Sequence, residues 1–447
     1  MLMAYWFRLT ILQIGFWLTW SLIPIVVEII PAVFSAGILL FKQFRKKRLE
    51  MPAKMPLITV IVPVYNSEDT LFNCIRSIEN STYPSDLIQI ILADNQSTDN
   101  SFQAFAHAQN VFTDLHMQLI HTDQGKAKAL NSAIYESIGT YIINIDSDGI
   151  LEKHALMNMV LRFENDYDVS ALTGTILPQK KLIKQTRGFW RRLLQRNEYF
   201  EYAQAFLSGR TIESENNQLF TMSGAFSAFR KEALMSTFLY STTTIGEDTD
   251  MTFQLRERLK RKVVICSDAI FYIEPIPSLG QLYTQRQRWQ RGEIEVTQAY
   301  STRIEIKHFF NNFLIRRMIL DHTFLFPRMI WLFASLVLLL FNYSPVLLGM
   351  SYVVIYLLYV MMEIMNFVCV QLLLGDFPDE RHFYSSQWWV ALTMPAYNFI
   401  CAWIRFVGII NSMTELSHWN STKFDAETRD IRTVIRDDIY RFKSKRR

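Results

Sequence analysis

Two acidic motifs are the first residues of this chain whose types and spacing could do chemistry. Asp146-Ser147-Asp148 follows an apolar run, and Glu247-Asp248 lies further along the chain. Two carboxylates one residue apart offer the oxygen ligands that Mg²⁺ or Mn²⁺ takes, together with water and substrate phosphates. A carboxylate at Asp248 or Glu247 could take the proton from a hydroxyl group as that group attacks. Each pair also has an ordinary explanation, as a loop acid or as a helix cap.

A third motif, Gln285 followed by Arg288-Trp289, comes just before the apolar C-terminal part of the chain. Arg288 carries a rigid fork of donors that suits a diphosphate leaving group. Trp289 offers a flat face for the C–H face of a sugar. Gln285 is three and four residues away from the pair, so the three side chains are predicted to share one helix face. The alternative is an amphipathic surface helix, because Arg and Trp are also common at membrane interfaces.

Further polar candidates are predicted at the ends of strands and at a helix start. Tyr65 and Asp94 each follow a short apolar run, and Lys126 begins a helical pattern directly after Gly125. Tyr65 could stack on a nucleobase or pack in the core. Lys126, at a helix N-terminus, could meet a diphosphate.

Short β-branched runs alternate with helical patterns through the first half of the soluble part. This alternation predicts an α/β fold with a doubly wound, mostly parallel sheet. Ligands bind at the carboxyl ends of the strands in such sheets, where Tyr65, Asp94 and Asp146 would lie. The predicted strands are 57–64, 88–93, 117–121 and 141–145, and the predicted helices are 67–80, 101–110 and 126–137.

Apolar segments at both ends of the chain predict a membrane protein. Half of the 447 residues are hydrophobic, and a membrane span needs about 20 apolar residues. A region of ordinary polarity between Pro56 and Ser301 is predicted to be a soluble domain placed between membrane segments. Four segments have the required length or nearly so: Leu9 to Phe41, Phe324 to Phe341, Val346 to Leu374, and Trp388 to Asn411.

Charge places the soluble domain on one side of that membrane. The stretch Phe41 to Lys54 holds six basic residues and one acidic residue, and such flanks stay in the cytosol. The net charge of +4 gives no reason to expect nucleic acid as a partner. The first apolar segment is too long for a signal-peptide core, so we expect it to be retained. Four scattered cysteines predict neither a disulfide nor a zinc site.

Two basic amphipathic segments flank the last motif. Lys180 to Arg196 is either a solvated helix or a helix that lies on anionic lipid headgroups. Thr302 to Thr323 precedes an apolar segment and is predicted to lie along the interface. The predicted boundaries are a membrane segment at 1–41, a basic linker at 42–56, a catalytic domain at 57–300, an interfacial helix at 301–323, membrane helices at 324–411 and a charged tail at 412–447.

Taken together, these motifs resemble family 2 glycosyltransferases of the processive membrane branch, such as poly-N-acetylglucosamine, cellulose, chitin and hyaluronan synthases. The chain also resembles the glycosyltransferases that accompany an exosortase system in Gram-positive bacteria. The similarity runs from about Leu57 to Asn411. It rests on Pro63-Val64-Tyr65-Asn66, Ala93-Asp94, Ser97-Thr98-Asp99, Gly125-Lys126-Ala127, Ala129-Leu130-Asn131, Asp146-Ser147-Asp148, Ser223-Gly224-Ala225-Phe226, Glu247-Asp248, Gln285 with Arg288-Trp289, and Met394-Pro395-Ala396-Tyr397-Asn398-Phe399.

The resemblance implies a GT-A type fold and a role for each motif. Asp248 would be the base, with Glu247 beside it. The site would take Mg²⁺ or Mn²⁺ at Asp148 and Asp146. The resemblance assigns the donor nucleotide-sugar to Tyr65, Asp94, Lys126, Asp146, Gln285 and Arg288, and the acceptor to Trp289, Ser223 and Gly224. Two positions depart from the family pattern, because Ser67 and Asn95 stand where many members have acids, and this bears on the specificity for uridine.

The leading hypothesis is therefore an inverting, multi-pass enzyme of the cell membrane with a cytosolic catalytic domain. It would use a UDP-sugar of the N-acetylglucosamine or glucose type to extend a cell-surface polysaccharide. The alternative is transfer of a single sugar to a lipid-linked acceptor, and a third class is a non-catalytic membrane component. Expected partners are the UDP-sugar, a glycan or lipid-linked acceptor, membrane lipid, and a second copy or an accessory membrane subunit.

Overall fold

The structure is a computed structural model. It describes residues 29–43, 49–215, 217–300 and 343–414, together with Ile25 and several positions between 333 and 341. Most of the predicted segment Leu9 to Phe41 and of the segment Phe324 to Phe341 falls outside these residues. The predicted interfacial helix Thr302 to Thr323 and the tail beyond residue 414 lie outside them entirely.

One mixed sheet of eight strands forms the centre of the described part, in the order β3-β2-β1-β4-β7-β6-β8-β5. Strand β1 runs parallel to β2 and β4, β2 runs parallel to β3, and β6 runs parallel to β8. The pairs β4–β7, β6–β7 and β5–β8 are antiparallel. The strands are β1 Ile58–Val64, β2 Ile88–Asp94, β3 His116–His121, β4 Tyr141–Ile145, β5 Ile150–Leu151, β6 Val169–Pro178, β7 Phe226–Arg230 and β8 Lys262–Ile273.

Helices cover both faces of this sheet and continue beyond it. Short 3-10 or π segments extend or follow some of the helices, at Ser85–Leu87, Gln204–Gly209, Gln254–Arg258, Leu374–Asp376 and Trp388–Leu392. The α-helices are α1 Ile30–Gln43, α2 Leu71–Glu79, α3 Ser101–Val111, α4 Lys126–Glu136, α5 Ala155–Asn165, α6 Lys180–Gln185, α7 Phe189–Ala203, α8 Arg210–Glu215, α9 Lys231–Met235, α10 Glu247–Phe253, α11 Leu279–Ala299, α12 Pro345–Leu373, α13 Pro378–Ser386 and α14 Met394–Thr414.

Strand β1 shows why its sequence reads as a continuous apolar run. Val60 and Val62 join the larger core cluster on one face, and Ile61 joins a second cluster on the other. Because both faces are covered, every position is apolar instead of alternating with polar residues. Helices α2 and α5 contribute to the first cluster, and α4 and α10 to the second. The fold-class prediction is confirmed: the β1–β4 half is parallel, and β7 introduces the antiparallel pairs.

The predicted elements of the first half agree with the structure to within a few residues at each end. At the start of α2, the backbone carbonyl of Ser67 accepts from the amides of Thr70 at 3.1 Å and Leu71 at 2.9 Å, and no side chain caps the helix. A backbone turn therefore starts α2, and the side chain of Ser67 is left available for another contact.

Helix α12 is the one helix in the described residues that is long and apolar enough to cross a membrane. With its continuation it spans Pro345–Asp376. Its C-terminal part belongs to the larger core cluster, because Val370 and Leu374 are fully buried there. Glu363 is also buried, and accepts hydrogen bonds from Gln204 at 2.8 Å and Asn398 at 3.0 Å. Exposed apolar side chains concentrate before Glu363.

The segment Trp388 to Asn411, which we predicted to be long enough to span a membrane, folds differently. A 3-10 turn at Trp388–Leu392 precedes α14, and α14 is not apolar enough to join α12 as a candidate span. Its Arg405 donates to Gln290 of α11 at 3.0 Å. Helix α14 therefore packs along α11, and α12 is the candidate span among the residues described. The assignment of 324–411 to membrane helices stays a prediction.

Candidate active site

The first acidic motif lies where β4 ends, as predicted. The amide of Asp146 donates to the carbonyl of Ala225 at 3.1 Å, which fixes the start of the turn. Ser147 is buried, and its hydroxyl is 2.7 Å from that of Ser67. Asp148 points toward solvent. Ser67, one of the two departures from the family pattern, therefore ties the β1 loop to this motif.

Lys126 links the acidic motif to a neighbouring loop. Gly125, with a φ of +127°, precedes it and allows the chain to turn into α4. The ammonium group of Lys126 is 2.5 Å from Oδ1 of Asp146 and donates to the carbonyl of Gly224 at 3.2 Å. This half-buried ion pair holds the Lys126 ammonium group beside the acidic motif, where a diphosphate could bind.

The second acidic motif begins helix α10. Oδ2 of Asp248 accepts from the amide of Gly224 at 3.2 Å, and its Oδ1 accepts from the amide of Thr249 at 2.8 Å. A Cβ at position 224 would lie 3.3 Å from Oδ2 of Asp248, so glycine permits this approach. Ser223 is held by its amide, which donates to the hydroxyl of Thr173 at 2.9 Å. Of the two predicted acceptor residues, Gly224 therefore contacts the carboxylate of Asp248 directly, and Ser223 is anchored to Thr173.

The pKa values of the acidic side chains report how closely these charges lie. Partial burial in the cleft and the negative charge of Asp146 raise the pKa of Asp148. Burial and the charge of Asp248 raise the pKa of Glu247 to about 7, against the opposing charges of Lys126 and Arg288. The two acidic motifs, Lys126 and Arg288 therefore act on one another within a single site.

The third motif lies on α11, which crosses the start of α10. Gly246, directly before Glu247, meets Gly292 of α11 at backbone contact. Arg288 and Trp289 are both exposed, and Trp289 keeps 41% of its surface accessible. Gln285 is half-buried and hydrogen-bonds Tyr202.

The predicted nucleotide end of the site lies at the ends of β1 and β2. Tyr65 is 52% exposed, so it is free to stack and is not a core residue. Oδ1 of Asp94 accepts from the amide of Ser97 at 3.2 Å, and its Oδ2 lies 3.1 Å from Nδ1 of His121. Asn95, the second departure from the family pattern, accepts from the amide of Gly125. That asparagine therefore orients the loop before Lys126.

Two neighbours of the third motif, Arg286 and Glu201, were given no role in the sequence analysis. Arg286 lies between Gln285 and Trp289, but is buried and stacks on the Trp289 ring at 4.3 Å. Glu201 of α7 accepts a hydrogen bond from Arg286, and Tyr397 of α14 donates to the same carboxylate. Arg286 had a signal, since it follows Gln285 directly. Glu201 had none, because only the tertiary fold brings α7 to α11.

The carboxylates suit a divalent cation, although in the described residues no group of three or more His, Cys, Asp and Glu side chains converges on one point. Asp146 and Asp148 are close enough for the charge of one to raise the pKa of the other. Two carboxylate ligands are a common set for Mg²⁺, which keeps several waters and substrate phosphates. The donor set therefore fits Mg²⁺ or Mn²⁺ completed by the substrate.

Comparison with known proteins agrees with this arrangement. Residues 59–238 match the model for glycosyl transferase family 2. The chain contains a family 2 glycosyltransferase domain. This match confirms the predicted enzyme class, and it includes every site residue from Tyr65 to Gly224. The second acidic motif and the Arg288-Trp289 pair lie beyond its end.

Named relatives extend the similarity. The chain is 25% identical over 294 residues to the poly-beta-1,6-N-acetyl-D-glucosamine synthase of Staphylococcus aureus, covering 65% of this chain and 63% of the relative. It is 24% identical over 239 residues to the synthase of the same name from Staphylococcus epidermidis, covering 54% of this chain and 55% of the relative. The matches thus span less than two thirds of the length of these relatives.

One solved structure shares the fold. A mannosyltransferase from Pyrobaculum calidifontis, in complex with GDP-Man and Mn²⁺, superposes with a TM-score of 0.50 at 16% sequence identity. The superposition covers 88% of this chain and 99% of the mannosyltransferase. This likeness concerns the fold and confirms the GT-A type.

Proposed function

We propose that the protein is an inverting glycosyltransferase that uses a UDP-sugar to extend a glycan at the cytosolic face of the cell membrane. The observation that carries the proposal is the peptide at Gly224. Its amide donates to the carboxylate of Asp248, and its carbonyl accepts from the ammonium of Lys126. One backbone unit therefore holds a proton acceptor beside the cation that would bind the leaving diphosphate.

The chemistry we assign is a single displacement at the anomeric carbon. The acceptor hydroxyl forms a bond to that carbon, its proton passes to Asp248, and the bond to the diphosphate oxygen breaks. Attack from the face opposite the leaving group inverts the configuration. A positioned base contributes about 10² to 10⁴ in rate. Glu247 lies beside Asp248 as the second carboxylate of the motif.

The leaving diphosphate needs positive charge as its bond to the sugar breaks. Lys126 and Arg288 are the two cations whose charges act on Glu247, so both lie near this position. Asp146 and Asp148 are the residues that would hold Mg²⁺ or Mn²⁺, and that ion, when bound, would add positive charge at the diphosphate. Fixed donors at a site of developing charge stabilise the transition state without reorganising.

The donor nucleotide and the acceptor belong to opposite ends of this site. Tyr65 and Asp94, at the ends of β1 and β2, are assigned to the base of the nucleotide. Trp289 is assigned to the acceptor sugar. The staphylococcal relatives are named for poly-beta-1,6-N-acetyl-D-glucosamine, which supports N-acetylglucosamine as the sugar and a polymer as the product. Gln285, which hydrogen-bonds Tyr202, is assigned to the diphosphate of the donor, close to Trp289.

Membrane attachment supports a surface product. Helix α12 offers an apolar surface up to Glu363, after which it enters the core of the enzyme. The basic stretch 41–54 supports a cytosolic catalytic domain. An enzyme fixed in this way would receive a cytosolic donor on one side and hold its acceptor at the bilayer. Membership of the exosortase-associated subfamily remains a prediction, as do the domain boundaries.

The test is to supply the full chain in nanodiscs with radiolabelled UDP-N-acetylglucosamine, UDP-glucose and GDP-mannose, and to size the products. We expect a polymer from UDP-N-acetylglucosamine. Asp248→Asn should lower the rate about 10²- to 10⁴-fold. Asp250→Asn is the matched control, because Asp250 lies on the same helix and bonds Gln254 and Tyr300 instead of Gly224. A product with one added sugar would favour single transfer. Turnover of GDP-mannose but of neither UDP-sugar would exclude a UDP-sugar as the donor.

A further inference from the structure

Arg286 occupies an unusual position for an arginine next to an exposed tryptophan. Its side chain is only 9% exposed. The guanidinium carbon lies 4.3 Å from the centroid of the Trp289 ring and 5.9 Å from that of Tyr202. The Trp289 and Tyr202 rings are 6.3 Å apart. One buried cation therefore lies close to the exposed ring of Trp289 and to the buried ring of Tyr202.

Glu201 holds Arg286 in this position. Its Oε2 accepts from Nη2 of Arg286 at 2.6 Å and from the hydroxyl of Tyr397 at 2.7 Å. Burial by itself lowers the pKa of Arg286, but several neighbours, of which Glu201 acts most strongly, together outweigh that effect and raise the pKa. Arg286 is therefore a permanent cation whose orientation is set by Glu201 of α7, and Tyr397 of α14 holds Glu201 in turn.

Two further hydrogen bonds hold helix α14 against α11. Nε2 of Gln287 donates to the carbonyl of Ile404 at 2.6 Å, and Arg405 donates to Gln290 at 3.0 Å. These bonds set the position of α14, which carries Tyr397, along α11, which carries Arg286. The segment around Tyr397 was singled out by its sequence, and catalysis as described so far makes no use of it.

We propose that Arg286 is a positioning residue that fixes the plane of the Trp289 ring, and that Glu201 and Tyr397 fix Arg286. A half-exposed tryptophan on a helix surface can adopt several rotamers. Covering one face with a held guanidinium selects one of them and leaves the other face for an acceptor sugar. The inference rests on the proposed function only in assigning Trp289 to the acceptor. The positioning of Trp289 by Arg286 can be tested without measuring turnover.

The first test is ¹⁹F NMR of the full chain in nanodiscs with 5-fluorotryptophan at all ten tryptophans. Trp289→Phe identifies the Trp289 resonance. Arg286→Lys keeps the charge and removes the planar face, so we expect this resonance to shift and to report a more mobile ring. Arg196→Lys is the matched control, because the Arg196 guanidinium lies 5.3 Å from the ring of Trp389. It should shift the resonance of Trp389 and leave that of Trp289 in place.

The second test measures how the donor sugar is divided between an acceptor and water. The probes are UDP-N-acetylglucosamine and a short N-acetylglucosamine oligosaccharide. This ratio does not depend on the amount of folded enzyme, so partial misfolding of a variant cancels. We expect Arg286→Lys and Tyr397→Phe to lower the ratio about three- to tenfold, as for the loss of a cation–π contact or its support. Arg196→Lys should leave the ratio unchanged.

A double variant completes the design. In a Trp289→Ala background, Arg286→Lys should cause no further fall in the ratio, because the ring it positions is gone. An equal fall in both backgrounds, or a Trp289 resonance that Arg286→Lys leaves unshifted, would overturn the proposal. If the wild-type protein neither transfers nor hydrolyses the donor, the proposed function is wrong for that sugar. The NMR result would still show whether Arg286 positions the Trp289 ring.

Discussion

Gly246 and Gly292 meet at backbone contact between α10 and α11. A Cβ on Gly246 would lie 2.9 Å from the carbonyl oxygen of Gly292, and a Cβ on Gly292 would lie 3.0 Å from the Cα of Gly246. Gly246 directly precedes the second acidic motif, and Gly292 lies about one helical turn after Arg288. The two glycines therefore set the distance between the proposed base and the arginine assigned to the leaving group.

Gly292→Ala tests this spacing. The added methyl group meets backbone, which cannot move aside as a flexible side chain can, so α11 must shift away from α10. We expect transfer to fall at least tenfold, and overpacking of this kind costs about 1–3 kcal/mol of stability. Gly280→Ala is the control in the same helix, because the nearest atom to its Cβ is Ser278 Oγ at 3.8 Å. Equal activity of the two variants, measured at equal amounts of folded protein, would contradict the spacing argument.

Lys126→Met tests the cation between the two acidic motifs. The substitution leaves Asp146 without its partner at 2.5 Å and removes a charge from the diphosphate position. We expect the affinity for UDP, measured by calorimetry, to fall about tenfold or more, since the diphosphate loses a charge-assisted hydrogen bond. Lys128→Met removes a lysine of the same helix that lies 3.8 Å from exposed Asp123. That control should bind UDP as the wild type does.

The residues at strand ends could be predicted from the sequence because two local signals coincide there. A β-branched run marks where a strand stops, and a polar residue directly after it is placed at the ligand edge of the sheet. Asp94 and Asp146 were placed in this way, and the structure has both at strand ends. The ion pair of Lys126 with Asp146 needed the fold, because 20 residues separate them and the pairing depends on the packing of α4.

The other half of the sheet and the C-terminal helices were harder to predict. Strands β6 and β8 are long and buried, and their parallel pairing leaves β7 antiparallel to both β4 and β6. No local pattern encodes that order. Helix α14 has the length of a span but is less apolar than α12, and it packs on α11. The length and hydropathy of a helix indicate whether it could cross a membrane. Its packing against other helices depends on the tertiary fold, which these two quantities do not describe.

Asp148→Ala tests the metal. We expect transfer to be lost while the free energy of unfolding stays within about 0.5 kcal/mol, because Asp148 is exposed and surface substitutions rarely cost more. Excess EDTA should abolish wild-type transfer, and Mn²⁺ or Mg²⁺ should restore it. Asp86→Ala, an exposed acid in the turn before β2, is the control. Full transfer in EDTA would contradict the role of the cation.

Trp289→Ala and Arg288→Ala should have separable effects. Trp289→Ala removes a surface for the acceptor but no charge, so it should impair elongation more than hydrolysis of the donor by water. Arg288→Ala removes stabilisation of the departing diphosphate, so it should slow both reactions together. Rates of hydrolysis and of polymer formation, measured with the same labelled donor, give the comparison. An unchanged product length in Trp289→Ala at comparable turnover would favour single transfer over processive synthesis.

The pH dependence of stability tests the charge cluster through Glu247. Burial and Asp248 raise its pKa from 4.5 to about 7 in the folded protein. A folded-state pKa above the unfolded value means that the folded state holds the proton more tightly. The stability that this group contributes is therefore complete below about pH 4.5 and is lost as the pH rises through 7.

Glu247→Gln cannot ionise, so it should escape that loss. Relative to the wild type, its free energy of unfolding should rise between pH 5 and pH 8, by on the order of 1 kcal/mol after screening at this half-buried position. Thermal melts in EDTA at several pH values measure the difference without a cation at Asp148. Glu257→Gln removes a glutamate that pairs with Lys260 at 3.4 Å, and its difference from the wild type should be the same at pH 6 and pH 8. If the difference in unfolding free energy between Glu247→Gln and the wild type does not change over this pH range, Glu247 does not interact with the charges of Asp248, Lys126 and Arg288 as proposed.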